Sequence, residues 1–416
     1  MKNAPLLPAP RIFTLLLSLF TALALVVISA QPAIAQTETI LYSFCRPGCA
    51  DGAGPDAGLL MDSAGNLYGT TYDGGLSPNY QGVVYKLTPR GAETALHSFG
   101  AVANDGNHPS GQLIMDTLGN LYGTTRMGGS NNTSGGGDGT VFKLSSDGTE
   151  TILYNFGASS TDGIEPTAGV IADAEGNLYG TTFEGGAYGE GTVFRLTPEG
   201  VETILHSFAG GSTDGAGPWT GLTMDSNGNL YGTTQYGGTG DRPPGYGGTV
   251  FEISANGDYS ILHNFAGPAT DGSYVNASLT LDSRGNLYGT TYNGGADAYD
   301  AGTVFKLTPG SNGSWEETIL YNFTNLTAAC RNPYSAVVFD SAGTLYGTTA
   351  YGGTHGFGCL YSLTPAGKLS TVHAFSGSPD GSVPVGNLLM SEGYLYGVAE
   401  ASGNKNGGGI VFKIQR

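Results

Sequence analysis

The chain has 416 residues, among them 71 Gly, 20 Pro, 24 Tyr and 17 Phe; only 12% are charged, and the formal net charge is −18. Such a surface repels a polyanionic backbone, which argues against nucleic acid as a partner and leaves cations, neutral glycans or basic proteins. Short apolar runs punctuated by Gly, Pro, Asn and Asp favour strands and tight turns over helices, and the glycines recur periodically, unlike those of a disordered Gly-rich polymer.

The first element differs from everything after it. Lys2 and Arg11 precede the apolar run 12–30, and Ala33-Ile34-Ala35 follows it before Gln36. A basic start, an apolar middle and a small-x-small tripeptide predict a secretory signal over residues 1–35, cleaved after Ala35. A secreted, periplasmic or extracellular protein with no membrane association after cleavage is therefore expected.

Beyond it one unit recurs. LYGTT stands at Leu67, Leu121, Leu178, Leu230, Leu287 and Leu345, and LYGVA at Leu395, spaced by 54, 57, 52, 57, 58 and 50 residues. That period suits a four-stranded propeller blade. The first copy reads GLLMD, a turn at SAGN, LYGTT, a Gly-Gly loop, GVVYKLT, a turn at PRG and ETALHSF, which predicts four short strands, here a, b, c and d. In the a–b turn Gly-Asn supplies the positive φ that a tight hairpin needs, and Asp62 and its counterparts can accept bonds from the turn's own amides. One carboxylate per turn falls far short of a calcium cage.

Counting strands gives the architecture. Strand c occurs seven times, and strand d occurs seven times with its first copy, ETILYSF from Glu38, ahead of any strand a, while the chain stops just after the last strand c at Ile414. Pairing these ends closes a seven-bladed, all-β propeller over residues 36–416 and removes an exposed strand edge. Four cysteines in an exported chain are expected to be bonded. Cys45 and Cys49 suggest a local bridge and Cys330 and Cys359 share a blade, although Cys45 and Cys330 sit in equivalent loops and leave another pairing open.

The chain has none of the Trp-Asp pairs or per-blade tryptophans of several propeller classes. Its repeat, D-x-x-G-N-L-Y-G-T-T-x-x-G-G with G-T-V-F-K-L and E-T-I-L-Y-x-F, resembles the GloVer tandem repeat of exported bacterial proteins, the choice-of-anchor family, from Thr37 to Arg416. The resemblance implies a bacterial surface or secreted protein and no particular activity. Members often carry a C-terminal sorting segment; this sequence ends in GGIVFKIQR, and release after export is expected instead.

Function should lie where the copies disagree. Loops d–a and b–c share one face and are the longer, variable ones. The Asp-Gly before strand a at Asp51, Asp105, Asp162, Asp214, Asp271 and Asp380 reads as a turn device bonding its own backbone. After the following Pro (Val275 in blade five) the copies read Asp56, Ser110, Thr167, Trp219, Asn276, Tyr334 and Val385. Trp219, Asn276 and Tyr334, with Arg331 beside them, are expected at the channel mouth, two aromatic faces flanking an amide, suited to a glycan or small polar ligand. His97, His206, His263 and His373 alternate with Tyr42, Tyr154 and Tyr321 at one position of strand d and read as structural. No nucleophile elbow, phosphate loop or metal motif occurs, so no catalytic residue is assigned. No cofactor is expected, with calcium the one ion considered. Glu165, Glu184, Glu190 and Glu400 are loop carboxylates that could serve a polysaccharide-acting or lactonase-like enzyme, the alternative to a binding propeller. A monomer is the expected state.

Overall fold

A computed structural model describes residues 38–45, 48–133, 136–240, 247–267, 271–296, 300–402 and 407–416, so the signal segment predicted over 1–35 lies outside the described residues. Among the described residues seven antiparallel blades, each with strands in the order a-b-c-d, are arranged as a ring, and three short two-stranded pairings join the d–a and b–c loops. In blade one these are Leu60–Met61, Leu67–Thr71, Val83–Leu87 and Glu93–Ser98. In blade seven Leu389–Ser391, Tyr394–Ala399 and Ile410–Gln415 are completed by Glu38–Ser43 from the other end of the chain. Glu38 lies opposite Ile414, and Ser43 opposite Ile410. The ring closes as the strand count requires.

The repeated motif has a local physical reason at each letter. Asp62 Oδ1 accepts the amides of Ala64 and Asn66, and its Oδ2 accepts the Asn66 side chain and the Tyr68 hydroxyl, so the turn consumes the whole carboxylate. The same scheme recurs at Asp116, Asp173, Asp225 and Asp282. The glycine of LYGTT lies under the strand c aromatic: a Cβ at Gly232 would stand 2.4 Å from Phe251 Cζ. The first Thr reaches the next blade, as Thr181 Oγ1 does to the Thr220 carbonyl at 3.0 Å. The second Thr ties strand b to strand c, as Thr182 Oγ1 does to Thr192 Oγ1 at 2.8 Å.

Strand a is shorter than GLLMD suggests: in six blades the pairing to b just ahead of the a–b turn covers two or three residues. The part before it runs along the channel, where its carbonyls accept from the strand b Thr of the preceding blade and its side chains bond strand b of its own. Between blades, the phenylalanine that ends each strand d packs edge-on against the strand c aromatic of the following blade, as Phe156 does on Phe194 at 5.0 Å. These rings form the fully buried core.

The disulfides are Cys45–Cys49 and Cys330–Cys359. In blade six Ala329 and Cys330 stand where other blades carry the loop Asp and Gly, and Cys359 replaces the Thr that begins strand c, so the disulfide ties the loop to strand c of its own blade. Among the described residues no helix is long and apolar enough to cross a membrane.

Candidate functional site

A cavity of about 810 Å³ follows the ring axis and opens where loops d–a and b–c converge. Its size falls within the range of small-molecule sites. All seven post-Pro residues line it: Asp56, Ser110, Thr167, Trp219, Asn276, Tyr334 and Val385.

What aims them inward is a strained residue just upstream. Gly54, His108, Glu165, Gly217, Tyr274, Asn332 and Val383 all have φ between 54° and 65°. This left-handed region suits glycine and disfavours a β-branched residue such as Val383, at a cost on the order of 1–3 kcal/mol where a bulky side chain occupies it. Each of these seven residues donates its amide to a carbonyl of the preceding blade, at 2.8 to 3.3 Å, from Gly54 on Gly408 O round to Val383 on Phe357 O. The strain is therefore offset by a blade-to-blade bond repeated around the ring.

A second ring reaches the cavity from the residue after each LYGTT. Tyr72, Arg126 and Glu400 line the mouth. Glu400 is among the loop carboxylates singled out from sequence; Tyr72 and Arg126 are not, although comparing the copies one residue beyond the motif would have shown a variable position, Tyr72, Arg126, Phe183, Gln235, Tyr292, Ala350 and Glu400.

The expected quartet is only partly assembled. Trp219, Asn276 and Tyr334 converge, but Arg331 does not line the cavity. It pairs with Tyr351 in a strand extension and donates to Asn325 on its own loop. Its counterparts Asn107, Ile164, Ala216 and Ser273 pair with the end of strand b in the same way, so this position belongs to the sheet extension and not to the axis. The cation at the mouth is Arg126, whose Nε and Nη2 donate to Glu165 Oε2 at 3.1 and 2.9 Å, and whose guanidinium lies 5.5 Å from the Trp219 ring. Phe183 packs edge-on against Trp219 at 5.2 Å. Asn276 accepts from Gln235 Nε2 at 2.5 Å and keeps its own amide group for another partner.

Aromatic residues dominate one arc of the mouth. Phe183, Trp219, Tyr236, Tyr274, Tyr292 and Tyr334 form a chain of ring contacts over blades three to six. The opposite arc is acidic. Asp56 Oδ1 is out of solvent contact with no hydrogen-bond partner. Burial, then the negative charge of Glu400, raises Asp56 to about 7, against a hydrogen bond from its own backbone and, more weakly, the charge of Arg126. Burial and the charge of Asp73 raise Glu400 as well. The arcs feel each other: burial, then Glu400 and Asp56, push the Tyr334 phenol up to about 12, against a hydrogen bond with Trp219.

A different set of titratable groups sits at the outer rim. His97, Asp105 and Glu150 approach one another, as do His263, Asp271 and Glu317, and His373, Asp380 and Glu38, with ligand atoms within 4.8 Å in each group. Three such ligands could hold a divalent ion. Yet at equivalent joints Tyr42 donates to Asp51 at 2.8 Å and Tyr154 to Asp162 at 3.0 Å. A phenol replacing imidazole marks the position as a hydrogen-bonded clasp between strand d and the loop Asp, whose other bonds go to nearby backbone amides such as Gly106 N and Ala101 N.

Solved structures with the same architecture include a streptogramin B lyase, with a TM-score of 0.58 and 14% identity over 91% of this chain and 97% of that one. The extracellular domain of a one-component system, BT4673, from B. thetaiotaomicron gives 0.55 and 12% over 91% of this chain and 40% of that one. At these identities the likeness is one of fold. No curated protein matches the sequence. The model of the Gloeobacter/Verrucomicrobia repeat matches residues 26–156, 133–330 and 297–416, and with that coverage the chain belongs to the Gloeobacter/Verrucomicrobia repeat family.

Proposed function

We propose that the chain is an exported binding propeller that takes a small, hydroxyl-rich polar ligand, of glycan type, in the mouth of its central channel. The observation that carries this reading is the concentration of non-repeated side chains there: seven different residues stand two positions after the seven left-handed ones, all facing one cavity. Trp219 and Tyr334 offer ring surface for the C–H faces of a sugar, and Asn276, Ser110 and Thr167 offer donors and acceptors for hydroxyls. The basic, apolar and Ala-Ile-Ala pattern of the N-terminus supports export.

The test is retention on an immobilised glycan array by the wild-type chain and by a Trp219→Ala, Tyr334→Ala double variant. Binding lost in the double variant while its melting profile stays cooperative fits the proposal; binding equal in both removes the mouth as the site.

A second reading, a polysaccharide-acting enzyme or another hydrolase or lyase, has one observation in its favour. Asp56 and Glu400 are neighbouring carboxyls of raised pKa, a pairing that can exchange a proton near neutrality. It predicts that glycans retained on the array are degraded by the wild-type chain but only bound by Asp56→Asn.

A further inference from the structure

Resting on that reading of the mouth, the charge distribution narrows the ligand class. Each Asp of the six rim clasps meets a His or Tyr, Glu38, Glu150 and Glu317 sit beside those clasps and away from the cavity with a buried Oε1 unbonded, and each a–b turn carboxylate is consumed by its own turn. Arg126 is held by Glu165. Asp56 and Glu400 differ: they stand in adjacent blades, one and seven, at two positions where no other blade carries an acid. Both line the cavity, and Asp56 Oδ1 is buried there without a partner. A buried carboxylate without a positive partner is unfavourable, and the missing charge is one a ligand can supply.

We propose that the mouth binds the ammonium group of an amino sugar, with Asp56 and Glu400 receiving the N–H donors and Tyr334, Trp219 and Tyr72 providing aromatic faces around it. Aromatic faces attract a cation, and most strongly one whose water has been removed. A divalent metal fits this geometry less well. Among the described residues, the groups of three ligand-type side chains that come within 4.8 Å of one another are at the rim and none is at the mouth. Calcium asks for six to eight oxygens in a compact shell, whereas an ammonium accepts a dispersed set of one or two carboxylates and ring faces. In the ligand-free chain burial and the charge of Glu400 hold Asp56 at about 7. A cation seated beside it ionises it fully.

Calorimetric titration with two matched probes decides the matter: the tetramer of glucosamine and its fully N-acetylated counterpart, which differ in positive charge. The wild-type chain is expected to bind the amino tetramer about tenfold or more tightly than the acetylated one, as a charge-assisted bond implies. Asp56→Asn and Glu400→Gln should bring the two affinities together, while Trp219→Ala should weaken both. Equal affinities in the wild-type chain, unmoved by Asp56→Asn, overturn the ammonium assignment and leave the mouth as a glycan site. Binding of either tetramer that needs added calcium overturns it in favour of a metal. No binding of either overturns the assignment and counts against the glycan reading, unless the array retains a neutral glycan in a Trp219-dependent way, in which case only the assignment falls.

Discussion

On the outer rim a Tyr or His of strand d meets the Asp of the following loop at six of the seven joints, whereas at the channel mouth no two blades place the same side chain two residues after the strained position. Both regions are built on one repeating backbone, and the joint that departs from the rim pattern has Ala329 at the Asp position, one residue before the Cys330–Cys359 disulfide. Repetition at the rim serves the stability of every blade, so substitutions there should act through folding. Variation at the mouth is free of that duty, so substitutions there should act on ligand and leave the fold standing.

The comparison breaks most visibly if the closing strand is removed. Deleting residues up to Ser43 strips blade seven of strand d and exposes the strand Ile410–Gln415 as an edge. The expected outcome is loss of cooperative melting and association into large species, read by calorimetry and light scattering. A well-melting monomer would mean that the ring does not depend on this pairing.

Next in size is Gly232→Ala. The added carbon would lie 2.4 Å from Phe251 and 2.9 Å from Leu222 in a packed layer, so a loss on the order of 1–3 kcal/mol is expected in denaturant unfolding. Trp219→Ala at the half-exposed mouth should cost less than Gly232→Ala although it removes far more atoms. The reverse order would contradict the division of labour between the two regions.

The rim also sets the response to pH. Burial, then the hydrogen bond and charge of Asp380, raise Glu38 to about 9; burial and the charge of Asp162 raise Glu202 to about 7. Burial raises Glu150 and Glu317 in the same direction. A carboxyl whose folded pKa exceeds its unfolded value of about 4.3 holds more protons in the folded state, so its contribution is full below that value and is lost as pH rises through the folded one. His97 and His263, raised against burial by Asp105 and Glu150 and by Asp271 and Glu317, have the same sign, with the loss beginning above about 6.5. Asp105, Asp214 and Asp271 are held low by their His partners against burial and act oppositely, but only below about 4. The melting temperature should therefore peak near pH 5 and decline toward pH 9, with Glu38→Gln flattening part of the alkaline limb. A profile rising toward pH 9 would show that the rim carboxyls are ionised in the fold.

The smallest effect expected is that of Arg331→Ala. Its side chain is turned to Asn325 and away from the cavity, so glycan retention should stay within about twofold of wild type, well under the loss expected when a partnered contact is removed. A large loss would restore Arg331 to the site.

The fold was legible because almost every device in a blade is local in sequence. Asp62, Asn66 and Tyr68 lie within six residues of one another, and their recurrence names the hairpin without reference to the rest of the molecule. Ring closure was legible for a related reason: strand counts at the two ends must balance. At the mouth, the post-Pro alignment put Trp219, Asn276 and Tyr334 together because equivalent positions in a ring face one axis. It misplaced Arg331, since the residue at that position pairs with the extension of strand b, a pairing the local sequence does not reveal. The rim clasps were only half visible. Asp214 bonds Gly215 within its own loop, as the Asp-Gly pattern suggests, but its bonds to His206 and to Tyr259 of the next blade come only from folding.

The division between rim and mouth is tested most directly by hydrogen–deuterium exchange with and without the tightest-binding glycan of the array. Ligand should slow exchange in the segments around Asp56, Trp219, Asn276, Tyr334 and Glu400, while the a–b and c–d hairpins and the rim clasps exchange as before. Protection centred on those hairpins or on the rim, with the mouth unchanged, would contradict the account.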